Sequence, residues 1–301
     1  MGYWNEMDDN MPTLQKFMRL MDNGLTERPL ELCLDLYMPE DGTQERHPLV
    51  MLIHGGSFYF GSRNDEAISK WCRHLASSGY VAASIDYREG FAPTKPDIER
   101  AGYRALQDAH AALRFLVANS EEYCIDTSMI FIGGCSAGAI TALNLAYLTN
   151  ETRPKSTFET FTANDLGDIG SSGNDFIAPF SIKGIIDMWG ALPDTSMMRG
   201  SKIPILAFHG DCDDIVPYSC GYPLENIETF NKLLANKIYG SACLVEAAQR
   251  QGQEAYLYTF VGWGHAPHRD PKTKELNENF LIIQEHMTSF LNQLVKKYSC
   301  R

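Results

Sequence analysis

The sequence predicts an α/β protein: a mainly parallel, doubly wound sheet of about eight strands with helices on both faces. Three observations carry this. Apolar runs of strand length alternate along the chain with segments of helical periodicity. Several runs are continuously apolar, as in strands covered on both faces. The segments that carry glycines, histidines and acids each follow directly on such a run, where α/β sheets bind ligands.

The strands are read at Glu31 to Met38, Pro48 to His54, Val81 to Asp86, Met129 to Gly133, Ile182 to Trp189, Pro204 to His209 and Tyr256 to Val261. A helix is expected from an N-cap at Asp97, with Ile98, Ala101, Ala105, Ala109, Ala112 and Leu116 on one apolar face. Ala139 to Leu148, Pro223 to Leu234 and Glu275 to Leu294 read as further helices. One domain over 1–301 is expected, since 301 residues bury a large core in a single α/β unit. Asn150 to Ser181 breaks the alternation. It is polar, with scattered aromatics (Phe158, Phe161, Phe176, Phe180), and is too long for a plain connection. A lid or loop insertion that shapes substrate access is expected there, against the plainer reading of a surface insertion.

The most specific motif is Gly134-Cys135-Ser136-Ala137-Gly138, between an apolar run and a helical one. A strand, a tight turn and a helix put Ser136 on a strained elbow with its hydroxyl presented outward. The flanking glycines allow the close backbone approach that this turn needs. His54-Gly55-Gly56-Ser57-Phe58 follows an earlier strand. Backbone N–H groups of Gly55 or Gly56 and of Ala137 are candidates for an oxyanion hole, where each fixed donor contributes about 3–4 kcal/mol to an acyl-transfer transition state. The ring of His54 is read as an anchor for that loop. His209 to Pro217 offers three acids, Asp211, Asp213 and Asp214. Gly262-Trp263-Gly264-His265 offers a base, His265, on a glycine-flanked loop, with His268 as competitor. His47, His74, His110 and His286 read as solvated.

These residues together resemble a serine esterase of the α/β-hydrolase superfamily, of the carboxylesterase or hormone-sensitive-lipase-like type. The matching positions are His54-Gly55-Gly56, Asp86-Tyr87-Arg88, Gly134 to Gly138, His209 to Pro217 and Gly264-His265, within roughly Glu31 to Val295. The order serine, acid, histidine is that of this superfamily. The resemblance implies the α/β-hydrolase fold. It also selects Asp213, four residues after the histidine and shortly before Val216-Pro217, and implies a triad of Ser136, His265 and Asp213 acting through an acyl-enzyme without a cofactor. Arg88 and Asp108 are expected to brace the scaffold. Two positions depart from the pattern: Ser57 and Ala139 stand where many relatives have glycine.

Ser57, Phe58, Phe60, Trp189, Trp263 and Ala266 are candidate substrate contacts, which suits an apolar or aromatic acyl group. The partner is a small-molecule or oligomeric ester. Acetylated or feruloylated sugars, short acylglycerols and polyester fragments all fit. A serine peptidase of the same fold and a non-catalytic hydrolase-fold binding protein are the alternatives. The first ordinarily carries a large amine-anchoring domain, and the second loses a triad member. A net charge of −12 argues against nucleic acid or an anionic membrane surface as partner. No apolar stretch approaches the ~20 residues of a membrane span. Met1 to Glu6 is acidic and unlike a signal peptide. A soluble chain is expected, cytoplasmic, or secreted or periplasmic if a leader has been removed; no feature speaks to oligomeric state. None of the eight cysteines forms a Cys-x-x-Cys pair, so no structural zinc site is expected. A metal held by Asp211, Asp213, Asp214 and His209 is the alternative reading of that loop, but adjacent acids on one loop rarely all face one ion, and no metal is expected. Cys212 and Cys220 flank the acid loop and could bridge. Cys135 is expected to turn inward from the elbow.

Overall fold

Strands with both faces apolar need cover on both sides, and the fold supplies it. The computed structural model describes residues 13–20, 29–40, 42, 45–161, 163–225 and 235–300. Its main strands are β1 (Thr13–Leu20), β2 (Pro29–Tyr37), β3 (His47–Ile53), β4 (Val81–Ile85), β5 (Ile125–Cys135), β6 (Ile182–Met188), β8 (Ile205–Gly210) and β11 (Ala255–Phe260). They form one eight-stranded sheet in the order β1-β2-β4-β3-β5-β6-β8-β11. Only β2 runs against the others. Short strands β7 (Ala191–Leu192), β9 (Cys220–Gly221) and β10 (Ile238–Gly240) make a separate three-stranded sheet.

The helices are α1 (Glu66–Ser77), α2 (Lys95–Ala118), α3 (Ala137–Tyr147), α4 (Ser241–Arg250) and α5 (Glu278–Ser299). Helices α2, α3 and α4 pack on one face of the sheet through residues such as Ala105, Ala112, Leu143 and Leu244. On the other face lie α1 and α5, through Trp71, Leu75, Ile283 and Leu291. Each large side chain buried this way contributes about 1.5–3 kcal/mol. Neither β1, α1 nor α4 is among the sequence-derived elements. The helix expected at Pro223 to Leu234 falls largely on residues outside the described ones.

The start of α2 differs from expectation. Its N-cap is Thr94, not Asp97. Pro96 occupies the first turn, where its missing N–H costs nothing. Thr94 Oγ1 accepts from the Asp97 amide and donates to the Asp97 carboxylate at 2.7 Å. Asp97 thus serves the cap from the first turn, where an acid also suits the helix dipole.

The segment 150–181 is held along α2 by that helix's own polar side chains. Arg100 donates to the Ser156 and Asn164 carbonyls, Tyr103 to Gly167, Gln107 to Leu166 and Asp168, and Arg114 to Gly170, Ser172 and Asn174. The carbonyls of an irregular segment need donors, and one helix face provides them.

Arg88 and Asp108 form a buried ion pair, Nε to Oδ2 2.9 Å, with the Arg88 amide also donating to Asp108 at 2.8 Å. Among the described residues no helix is long and apolar enough to cross a membrane. All eight cysteines are free thiols. The bridge considered between Cys212 and Cys220 is therefore not made.

Removing one member of a buried ion pair strands the other. Asp108→Ala is expected to lower unfolding stability by about 3–5 kcal/mol in urea melts, and the double change Arg88→Met with Asp108→Leu to cost clearly less. A single variant as stable as wild type would show that the bonds of Arg88 to Gln107 and to the Arg104 carbonyl suffice without Asp108.

Candidate active site

The strand order reverses direction at β3 and β5, and their carboxyl ends meet there. Ile53 pairs with Gly134. At the elbow a Cβ on Gly138 would lie 2.1 Å from the Ile53 carbonyl oxygen, and one on Gly134 2.5 Å from the same atom. Only glycine lets the two backbones close to this distance. Ser136, the residue between strand and helix, has φ 54° and ψ −121°. A non-glycine residue held in this region stores local strain, which clusters at functional sites. Ser57, Phe58, Trp189 and Ala266 also have positive φ, and all lie on loops after strands at this end of the sheet. Ser57, one of the two departures from the resembled pattern, thus occupies a backbone conformation that favours glycine.

His265 Nε2 lies 2.9 Å from Ser136 Oγ, and His265 Nδ1 2.7 Å from Asp213 Oδ2. The carboxylate can only accept, so Nδ1 carries the hydrogen and Nε2 is free to take the serine proton. Asp213 is buried, and its other oxygen accepts from the amides of Ile215 at 2.9 Å and Val216 at 3.0 Å. Burial pushes its carboxyl up, but hydrogen bonds and charge from His209 and His265 outweigh this and hold it well below the usual carboxylate range.

Asp213, not Asp211, meets His265. Asp211 Oδ1 accepts from the Gly262 amide. The Asp214 backbone carbonyl accepts from Glu225. His268 is turned inward, stacked on Trp189 with ring centroids 4.9 Å apart and tilted against Trp71 at 5.4 Å. Cys135 is buried, and burial pushes its thiol up to about 12, which leaves it no thiolate near neutral pH. Among the described residues no cluster of His, Cys, Asp or Glu has the makings of a metal site.

Ala137 is the first residue of α3, and first-turn amides have no acceptor within their helix. Gly55 packs against the elbow: a Cβ there would lie 3.1 Å from the Cys135 carbonyl and 3.3 Å from Ser136 Cβ. Gly56 turns the following loop, its carbonyl accepting from Tyr59 and Phe60. The loop is anchored from below. Tyr87 donates to the carbonyls of His54 and Gly55, both at 3.2 Å, and its ring stacks on His54 with centroids 4.4 Å apart. His54 Nδ1 lies 2.7 Å from the Gly55 oxygen.

A cavity of about 460 Å³ opens beside Ser136 and Ala137. Its wall is mostly apolar, with Phe58, Phe91, Leu106, Ile140, Met197 and Ile215 among its residues, and Glu99, Lys95 and Asn236 as polar members. Glu99 bridges Ser156 at 2.7 Å and Asn236 at 2.8 Å. From 150–181, Thr152 and Pro154 reach this wall.

Ser57 and Phe58 line the cavity, but Trp189, Trp263, Phe60 and Ala266 do not. The reason lies in the sheet. The cavity sits among residues of α2 and α3, whereas Trp189 and Trp263 belong to the apolar cluster on the opposite face. Trp189 backs His265 instead, edge-on with ring centroids 6.4 Å apart. Phe60 is exposed. The wall residues of α2 and α3 went unread because they sit on apolar helix faces, which in sequence look like core.

A protein-family model described as BD-FAE matches residues 34–200, more than half of the 301-residue chain. Gut esterase 1 of Caenorhabditis elegans is 33% identical over 119 residues, 38% of this chain and 21% of that protein. Esterase LipC of Mycobacterium tuberculosis is 30% identical over 105 residues, 35% of this chain and 24% of its own length. The matches therefore span about a quarter or less of these curated relatives. Among solved structures, native esterase 2 of Thermogutta terrifontis has a TM-score of 0.65 at 20% identity, covering 94% of this chain and 92% of that one. The fold is that of the α/β-hydrolases. Within it, the chain belongs to the BD-FAE family.

His268 yields a test of the packing behind His265. Burial, with smaller contributions from the charges of Arg269 and His265, lowers its imidazole to about 3, against about 6.5 in an unfolded chain. Its protonation therefore favours unfolding. The associated stability is fully present above pH ~6.5 and falls as pH drops toward 3. Between pH 7 and pH 5 wild type should lose about 2 kcal/mol that His268→Phe does not lose. Urea melts at both pH values measure this, and an equal loss in the variant would contradict it.

Proposed function

We propose that the chain is a carboxylic ester hydrolase in which Ser136, His265 and Asp213 form the triad. The observation that carries this reading is the unbroken line from Ser136 Oγ through His265 to Asp213, at 2.9 and 2.7 Å, on a strained elbow facing an apolar cavity. The esterase names of its relatives support it.

In this reading Ser136 Oγ attacks the ester carbonyl carbon while His265 Nε2 takes its proton. Asp213 holds the Nδ1–H tautomer and stabilises the imidazolium that forms. The tetrahedral oxyanion is received by the amides of Ala137 and of Gly55 or Gly56, in a place preorganised before substrate arrives. His265 then protonates the departing alkoxide, leaving an acyl group on Ser136. Water, activated by the same imidazole, releases the acid. No cofactor enters these steps. The largely apolar wall favours an acyl or aromatic portion with little charge. Thr152 and Pro154 give the 150–181 segment its part as a fixed edge of the opening, a partial lid.

Ser136→Ala should reduce hydrolysis of a nitrophenyl butyrate ester on the order of 10⁴-fold or more with the melting temperature little changed, since one oxygen is removed and no cavity is made. Rates on purified wild type and variant, with an aminoacyl anilide alongside, decide it. An unchanged ester rate would end the esterase reading, and a strong preference for the anilide would move the chain to the peptidases.

A further inference from the structure

Behind Asp213 lie three polar side chains that the proposed reaction does not touch. Asp187 in β6, His209 in β8 and Ser241 at the start of α4 are each fully buried. They form one line. Asp187 Oδ2 lies 2.7 Å from Ser241 Oγ, which lies 2.7 Å from His209 Nδ1, and His209 Nε2 is 3.1 Å from Asp213 Oδ2. The Gly190 amide donates to the other oxygen of Asp187 at 2.9 Å.

Counting donors fixes the protons. His209 Nε2 faces the Asp213 carboxylate and, at 3.0 Å, the Val216 carbonyl. Neither donates, so Nε2 carries a hydrogen. Ser241 has one hydroxyl hydrogen for two partners, so one partner must donate to it. Either Asp187 is a carboxylic acid and His209 a neutral imidazole, or Asp187 is a carboxylate and His209 an imidazolium. Both arrangements hold one proton between the two ends. The groups facing the line are Tyr147 beside Asp187, Tyr218 edge-on to the His209 ring at 5.7 Å, and Asp213, with His265 beyond it. Separating charge across a hydroxyl in a dry interior is costly, whereas the neutral arrangement satisfies every partner without it. Burial raises the Asp187 carboxyl, in the same direction.

We propose that Asp187, Ser241 and His209 are positioning residues: a neutral chain, with its proton on Asp187, that holds the Asp213 carboxylate in line with His265 without neutralising it. The proposal rests on the triad reading above. An imidazolium at His209 would compete with His265 for the charge of Asp213. A neutral Nε2–H donor fixes the carboxylate and leaves its charge for the imidazolium that forms during reaction.

Two measurements test it. Nitrogen-15 NMR of the histidine rings of the full chain at pH 7 reads proton positions without turnover, and His209 should be the neutral Nε2–H tautomer in wild type and in Ser136→Ala. A doubly protonated His209 would overturn the proton placement. In the kinetic arm, Ser241→Ala and Asp187→Ala should lower kcat on the nitrophenyl ester by about 10- to 100-fold with KM little changed. The acid limb of their kcat/KM profiles should move to lower pH, because a displaced carboxylate stabilises the imidazolium less. Asp187→Asn, whose amide donates to Ser241 in place of the acid proton, should recover most of the rate lost in Asp187→Ala. A folded Ser241→Ala with unchanged kcat and pH profile would refute the positioning role. Asparagine no better than alanine at 187 would refute the neutral acid. Should Ser241→Ala not fold, the Asp187 pair and the NMR spectrum decide. Full activity in Ser136→Ala would instead end the triad reading and leave the NMR result standing.

Discussion

Two backbones touch at the centre of this molecule, and much else depends on that contact. The Ile53 carbonyl lies where a Cβ on Gly134 or Gly138 would have to be. Because those side chains are absent, β3 and β5 end together and α3 starts directly behind them. The loop that follows Ile53 is thereby laid against the elbow, with Gly55 in contact with Cys135 and Ser136. The amides near Gly55 and the Ser136 hydroxyl thus come together from segments some 80 residues apart. The strain at Ser136, Ser57 and Phe58 is sustained by a sheet whose strands are apolar on both faces and closed by helices on both sides.

Around this contact, donors from several segments meet the buried acceptors that hold the loops in place. Asp213 takes two ring donors on one oxygen and two amides on the other. Tyr87 secures the carbonyls of the loop after β3, while Arg88, the next residue, secures α2 through Asp108. Arg63 ties Asp35 on β2 to Asp86 after β4, at 2.9 and 2.6 Å. The Asp86-Tyr87-Arg88 run thus acts as a brace in three directions from consecutive residues. Helix α2 has a double part. Its alanines meet the sheet, and its Arg100, Tyr103, Gln107 and Arg114 collect carbonyls of 150–181, which keeps that segment's Thr152 and Pro154 at the cavity edge.

Much of the fold was legible because its determinants are local or periodic. Continuous apolar runs mark strands buried on both sides, and the glycine-flanked serine marks a turn that no other residue pattern allows so tightly. The alanine face of α2 was read correctly, but its cap was not, because Thr94 competes with Asp97 and Pro96 decides between them. The helix α1 escaped the reading although its signals are present in the chain: Asp65 caps it, and Ile68, Trp71, Cys72 and Leu75 repeat at helical spacing.

The sequence by itself determined the alternation of elements and the elbow with Ser136, and it offered His265 and three acids, Asp211, Asp213 and Asp214, among which only the family resemblance selected Asp213, because backbone geometry and residue chemistry act there at short range. Only the tertiary structure decided what faces what. Trp189 and Trp263 follow strands at the correct end of the sheet yet lie on the face away from the cavity, and no local pattern states which face a loop residue will join. His209, Ser241 and Asp187 come from two strands and a helix. Asp187 and Ser241 are unremarkable in their own segments, and with His209 they become a hydrogen-bonded line only when β6, β8 and α4 are packed. The physical reason is one of range: periodicity and steric freedom act over a few residues, whereas burial and donor matching act between segments that only the folded chain brings together.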